Sequence, residues 1–87
     1  MQRYRAVALL PFNKEALIVL GESQYEVTST YQRAFPEVIH QDLHYSCRGI
    51  SLQRWRGRPS SGWWTEIGTL KLPYLRRKYN EHKHENI

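Results

Sequence analysis

The sequence predicts an α+β domain, a small antiparallel sheet of two β-hairpins with one helix between them (ββαββ). Three observations lead to this prediction. Short apolar runs occur in pairs, turn-forming residues separate the members of each pair, and a helix-capping pattern lies between the pairs. With 87 residues the chain has room for one core. We predict a single globular domain over residues 1–73 and a basic C-terminal helix or tail over residues 74–87.

The first hairpin is predicted from two apolar runs near the start of the chain. Residues 3–12 form a run that ends at Pro11, and residues 16–20 form a second run that ends at Gly21. Short, continuously apolar runs of this kind are typical of buried strands. The polar residues 13–15 between them predict a three-residue connection.

The helix is predicted from a capping box and a helical repeat. Ser23 and Glu26 have the spacing at which serine and glutamate side chains satisfy backbone amides at a helix start. Apolar residues then recur at helical spacing: Val27, Tyr31, Ala34 and Phe35. Pro36 predicts the end, because the residue before a proline avoids helical conformation. The β-branched residues of this segment favour an alternative, in which residues 25–32 are a fifth strand of a small all-β barrel.

The second hairpin is predicted from two strand-like segments and the turn formers between them. Residues 38–56 are strand-like, with Gly49 as a predicted bulge because the apolar positions change parity across it. Residues 63–72 give the clearest strand pattern in the chain. The segment 58–62 is rich in proline, serine and glycine, which predicts a loop of several residues.

Composition indicates the partners of the protein. The chain has 13 Lys and Arg against 8 Asp and Glu, a formal net charge of +5 and a pI near 9.7, so polyanions are the expected partners. The single cysteine, Cys47, excludes an intramolecular disulfide and favours the cytoplasm. No apolar run approaches the roughly 20 residues of a membrane span, and no cleavage site follows the basic, apolar start, so neither membrane insertion nor export is predicted.

An Arg- and Trp-rich segment is the predicted contact element for nucleic acid. Arginine binds phosphate and stacks on bases, and tryptophan offers a flat surface on which bases stack. A second basic cluster follows in the C-terminal segment, where a short docked helix is predicted. The predicted nucleic-acid-binding residues are Arg48, Arg54, Trp55, Arg56, Arg58, Trp63, Arg76, Arg77 and Lys78.

Residues 56–59, with the sequence Arg-Gly-Arg-Pro, resemble the core of the AT-hook motif. That resemblance implies insertion into a narrow A·T minor groove, where glycine lets the backbone approach and the flanking arginines lie along the groove. It covers four residues. Ser60 and Ser61 stand where further basic residues usually follow, and AT-hooks mostly lie in flexible chain, whereas this copy is predicted to close a hairpin.

Another group of residues has the chemistry of metal ligands. His40, Asp42 and His44 would share one face of the predicted strand, with Cys47 nearby. However, neither paired cysteines nor a His-Glu-x-x-His pattern is present, so surface polar residues are the preferred interpretation. The carboxylates are scattered along the chain and there is no glycine-rich phosphate loop, so the sequence predicts no enzyme and no cofactor.

Two functions compete. The first is a small, basic, nucleic-acid-binding or accessory protein that contacts DNA or RNA through the Arg/Trp-rich hairpin. The second is a non-catalytic protein-interaction subunit of a larger complex, with a protein partner or a second copy of the chain bound at the same residue types. The exposure of Trp55, Trp63 and Trp64 is the observation expected to discriminate between base stacking and burial.

Overall fold

Two β-hairpins and the helix between them account for most of residues 2–73, the part of the chain that this computed structural model describes. The elements in chain order are β1 (Tyr4–Leu10), β2 (Lys14–Gly21), α1 (Gln24–Val38), a 3₁₀ helix (Gln41–Ser46), β3 (Gly49–Arg58) and β4 (Ser61–Leu70). The predicted ββαββ order is confirmed, and the barrel alternative is not needed because residues 25–32 are helical. The C-terminal helix or tail predicted over residues 74–87 lies outside the described residues.

The four strands form one antiparallel sheet in the order β2-β1-β3-β4. Each hairpin supplies one edge strand and one central strand, and the central strands β1 and β3 join the hairpins. Along that junction, Tyr4 lies opposite Arg54 and Leu9 lies opposite Gly49. Because β1 and β3 are antiparallel, the two hairpin turns lie at opposite ends of the sheet.

The two sides of the sheet differ because side chains alternate along each strand. Ala6 and Ala8 of β1 are fully buried and belong to the cluster that also contains the buried helix residues. The side that faces α1 is therefore termed the core face, and the opposite side the open face. Arg5 and Val7 alternate with these alanines and so lie on the open face, over which no helix of the described part of the chain packs.

The capping box forms as predicted and starts α1. The Ser23 hydroxyl accepts a hydrogen bond of 3.1 Å from the Glu26 backbone N–H, and the Glu26 carboxylate accepts one of 2.8 Å from the Glu22 N–H. Val27, Tyr31 and Phe35, spaced four residues apart, are buried against the sheet. The helical periodicity therefore identified the face of α1 that forms the core.

The predicted helix end at Pro36 is wrong by two residues, since α1 continues to Val38. A proline this close to the end of a helix removes only one backbone hydrogen bond. Phe35 and Ile39 on either side are both buried, and the Ile39 N–H donates a bond of 2.8 Å to the Phe35 carbonyl. Core packing therefore holds the last turn in place.

The strand predicted over residues 38–56 is also corrected. Its first half contains the helix end and the 3₁₀ helix, and β3 begins only at Gly49. Gly49 is not a bulge; the register of the β3–β4 pairing shifts between Leu52 and Gln53, and the extra residue there is Ile67 of β4. The 3₁₀ segment contains isolated apolar residues with strand-like spacing, and spacing alone does not separate these two conformations over so few residues.

The helices of residues 2–73 are shorter than the roughly 20 residues of a membrane span. The longest, α1, has 15 residues. No helix in this range is long and apolar enough to cross a membrane.

Candidate nucleic-acid interface

The β3–β4 hairpin extends beyond the rest of the sheet at one end. Pairing between β1 and β3 ends where Tyr4 lies opposite Arg54. Pairing between β3 and β4 continues for four more residue pairs. At the usual rise of a strand, residues 55–64 form a two-stranded ribbon about 13 Å long, termed the arm.

A tight turn closes the arm. Pro59 and Ser60 alone separate Arg58 from its paired residue Ser61, so the longer loop predicted over residues 58–62 is wrong. The segment does contain the turn, but its last two residues, Ser61 and Gly62, pair with β3. Tertiary pairing therefore shortens the connection to two residues.

Trp55 packs along the arm on the open face. A Cβ at Gly62 would lie 2.9 Å from the Trp55 ring and would collide with the Arg56 carbonyl. The Trp55 Nε1 donates a hydrogen bond of 2.8 Å to the Arg58 carbonyl oxygen. Gly57, opposite Gly62, has a backbone φ of 101°, which residues with a side chain rarely adopt. The two glycines thus let the indole lie directly on the backbone, where it stabilises the arm.

Trp64 is half-buried on the same face. Its ring packs edge-to-face on Trp55 with centroids 5.2 Å apart, and the Arg5 guanidinium lies 4.3 Å from the Trp64 ring centroid. The Arg5 Nε donates a bond of 2.6 Å to the Gln53 side-chain oxygen. Burial lowers the pKa of Arg5, and the charge of Glu15 opposes this effect. These contacts fix the base of the arm to β1.

A polar chain continues from Gln53 across the open face. The Gln53 Nε2 donates a bond of 3.0 Å to the Ser51 Oγ, and the Ser51 hydroxyl donates one of 2.7 Å to the Glu66 carboxylate. Ser51 is almost completely buried. This hydrogen bond holds the Glu66 carboxylate on the open face, away from the positively charged side of the arm.

Three arginines occupy that other side. Arg54, at the base of the arm, and Arg56 and Arg58 within it lie on the core-face side, opposite to Trp55, and successive arginines are about 6.7 Å apart along β3. Arg56 and Arg58 are exposed and Arg54 is half-buried. None of the three forms an ion pair with a carboxylate of the described residues. This surface is termed the arginine face.

Aromatic rings accompany the arginine face. Trp63 lies opposite Arg56 in the β3–β4 pairing and is 61% exposed, the largest exposure among the three tryptophans. Tyr4 belongs to the neighbouring strand β1, and the Arg54 guanidinium lies 5.9 Å from the centroid of its ring. The arginine face therefore has one open aromatic surface, at Trp63, and one guanidinium placed over a ring.

The structure brings some predicted contact residues together and separates others. Trp55 lies on the opposite side of the arm, and Arg48 precedes β3, about 20 Å from Arg54 along the strand. Arg76, Arg77 and Lys78 lie outside the described residues. The predicted residues that share the arginine face are Arg54, Arg56, Arg58 and Trp63.

The segment that resembles an AT-hook is part of this folded hairpin. Arg56, Gly57 and Arg58 are the last three residues of β3, and each pairs with a residue of β4. Pro59 begins the turn. Insertion into a minor groove as an extended single chain would therefore require the end of the arm to unpair.

The predicted group of metal-ligating residues lies on a different element from the one expected. His40, Asp42 and His44 belong to the 3₁₀ helix and its cap instead of a strand. The His44 ring packs on Phe35 with centroids 5.5 Å apart, and Cys47 is buried with its Sγ 3.4 Å from the Gly49 carbonyl oxygen. Within residues 2–73, no cluster of three or more His, Cys, Asp or Glu side chains is arranged to hold a metal ion.

Two residues of this region were missed by sequence reasoning. Tyr4 and Arg5 lie in β1, far from the Arg/Trp-rich segment in sequence, and the β1–β3 pairing brings them to Arg54 and Gln53. The sequence assigns these two residues to the first predicted strand, and nothing in it connects them with the Arg/Trp-rich segment. Their position in a predicted strand placed them on opposite faces, but no signal indicated which strand lies beside it.

The chain was also compared with known proteins. Searches against protein-family models, curated proteins and solved structures found no match in any of the three. The proposals below therefore depend on the geometry of the chain itself.

Proposed function

We propose that this chain is a non-catalytic nucleic-acid-binding protein that contacts DNA or RNA through the arginine face of the arm. One observation carries the proposal: Arg54, Arg56 and Arg58 stand in a row without a carboxylate partner among the described residues, beside the exposed Trp63. Unpaired guanidiniums bind phosphate through charge-assisted hydrogen bonds. An exposed aromatic ring among them supports contact with bases as well.

The charge distribution supports the same proposal. The formal net charge of +5 favours polyanions at long range, and the arginine face concentrates three positive charges along about 13 Å of β3. The Glu66 carboxylate accepts the Ser51 hydrogen bond on the open face, so it does not neutralise the three arginines on the opposite side. A protein that binds through three phosphate contacts is expected to lose affinity with salt, at a log–log slope of about 2–3.

A non-catalytic role is part of the proposal. Glu66 is the acidic residue within β3 and β4, and its carboxylate is held on the side of the sheet opposite the arginines. A hydrolytic centre would need an acid, a base or a metal beside the bound phosphate. We also propose a cytoplasmic location, supported by the free, buried thiol of Cys47.

The experiment that tests this proposal compares two triple variants by fluorescence anisotropy with labelled oligonucleotides. The first variant changes Arg54, Arg56 and Arg58 to alanine. The matched control changes Lys14, Arg33 and Lys71, all exposed side chains outside the arm, to alanine. Both variants lower the formal net charge from +5 to +2, so their difference isolates the position of the charge.

We expect the arm variant to lose most of its affinity at low salt and to lower the salt slope by about 2–3. The control should keep most of the affinity and most of the slope. Equal losses in the two variants would leave only nonspecific attraction to a basic protein and would refute the arm as the contact element. The single variant Arg48→Ala measures whether the other end of β3 contributes.

A second candidate, the protein-interaction subunit, is favoured by apolar side chains on the open face. Val7 is buried, and Leu17, which lies opposite it in β2, is 46% exposed. Of these two residues, Leu17 therefore offers the exposed apolar surface on the open face that a second copy of the chain could cover. Light scattering over a concentration series, with Leu17→Glu as the variant, tests it. A dimer that the variant dissociates supports this function, and a monomer at every concentration argues against self-association.

A further inference from the structure

We propose that the arginine face binds single-stranded polynucleotide, with one base stacked on Trp63 and a neighbouring base stacked on the guanidinium of Arg54. This inference rests on the proposed function and defines its ligand. The shared chemistry is an unpaired base next to a phosphate, which single-stranded DNA and single-stranded RNA both provide.

Trp63 has the exposure that base stacking requires. Its side chain is 61% exposed, whereas Trp55 and Trp64 are half-buried against each other on the open face. Nothing in the packing of the arm accounts for an exposed indole at this position, because the turn is tied by Trp55 instead. Base–aromatic stacking contributes about 1–3 kcal/mol per base, and it accepts every base because all bases have a flat surface.

Arg54 supplies the second flat surface. Its guanidinium lies 5.9 Å from the Tyr4 ring centroid, within the range of a cation–π contact, so the ring favours one position of the group. A planar guanidinium in that position can stack on a base through its other side. Arg56 neighbours both stacking surfaces, because it lies opposite Trp63 and two residues from Arg54 on β3, and from there it can contact the phosphate that joins the two nucleotides.

The geometry favours a single strand over a duplex. Base pairs in a duplex are stacked on one another and offer only their edges in the grooves. A two-stranded β-ribbon does fit the major groove, but an exposed indole on it would find no base face to cover. A single strand exposes base faces, and the arginine face, about 13 Å long, has room for the two neighbouring nucleotides that would stack on Trp63 and Arg54.

The test uses labelled oligonucleotides of one sequence as single-stranded DNA, single-stranded RNA and duplex DNA, each with the intact chain. Two variants are compared: Trp63→Leu keeps an apolar side chain without an aromatic face, and Trp63→Phe keeps a smaller aromatic face. Thermal unfolding of each variant checks the fold, which we expect to be unchanged because Trp63 is exposed.

We expect single strands to bind more tightly than the duplex, with affinity reaching a plateau once the strand covers the length of the arginine face. Trp63→Leu should weaken single-strand binding about 10- to 100-fold without changing the salt slope, because the phosphate contacts remain. Trp63→Phe should recover most of the loss. The relative affinity for DNA and RNA identifies which single strand is preferred.

Tighter binding to duplex, or single-strand binding that Trp63→Leu leaves intact, would overturn this inference. In either case, loss of binding in the Arg54, Arg56 and Arg58 triple variant would still support the proposed function. Absence of binding to all three nucleic acids at low salt would refute both proposals.

Discussion

The two hairpins use the same topology for different purposes. α1 packs mainly on the β1–β2 hairpin, whose core side is therefore apolar and buried. Within residues 2–73, no helix covers the outer part of the β3–β4 hairpin, and cross-strand contacts hold it together instead. On one side of the arm these contacts join Trp55 and Trp64, which leaves the other side free for exposed arginines and Trp63.

The turns of the hairpins show the same contrast. The β1–β2 turn places Phe12 and Asn13 at φ of 63° and 60°, and Phe12 is 90% exposed. The β3–β4 turn is tied by the Trp55 hydrogen bond to the Arg58 carbonyl. The first hairpin tolerates a strained turn because the helix stabilises its strands, whereas the arm depends on its own side chains and turn.

The largest effect is expected where α1 meets the sheet. Phe35 is 1% exposed, and Phe35→Ala should lower the free energy of unfolding by about 3–5 kcal/mol, because it removes buried apolar surface and leaves a cavity. Urea denaturation measures the change, with Phe35→Leu as the milder control. A loss below about 1 kcal/mol would mean that α1 does not hold the first hairpin in place.

A smaller effect is expected within the arm. Gly62→Ala places a Cβ 2.9 Å from the Trp55 ring and against the Arg56 carbonyl, so it should destabilise the protein by about 1–3 kcal/mol. Gly68→Ala in the same strand is the matched control, because nothing lies within 4 Å of its added Cβ. Denaturation measures the stabilities, and hydrogen exchange locates the loss.

Hydrogen exchange should show faster exchange of the arm amides in Gly62→Ala, with the amides of α1 less affected. That result would show that the arm opens on its own while the helix-covered hairpin stays folded. Equal acceleration throughout residues 2–73 would instead show that the arm and the helix-covered part unfold together.

The smallest effect is a gain in stability at the first turn. Phe12→Gly should raise the free energy of unfolding by about 0.5–1 kcal/mol, because glycine adopts a positive φ without strain, although it adds freedom to the unfolded chain. Phe12→Ala removes the same ring but keeps the strain, so little change is expected. If both variants behave alike in thermal unfolding, strain at φ of 63° is not the cause.

Local signals predicted those parts of the fold that depend on nearby residues. The capping box at Ser23 and Glu26 and the helical repeat through Phe35 were sufficient for α1, because a helix satisfies its backbone within one segment. Both hairpins followed from short runs between turn formers. The observed helix end at Val38 and the start of β3 at Gly49 were not predicted, because burial of distant residues decides them.

In the candidate site, too, some features follow from the local sequence and others only from the tertiary structure. The sequence by itself determined that Arg54 and Arg56 lie on one side of a strand and Trp55 on the other, because side chains alternate with period two, whereas Arg58 was predicted in the loop. Only the tertiary structure decided that Trp63 stands beside the arginines and that Tyr4 reaches Arg54. The physical reason is that cross-strand register depends on the turn and on pairing between distant segments, which alternation within a strand does not specify.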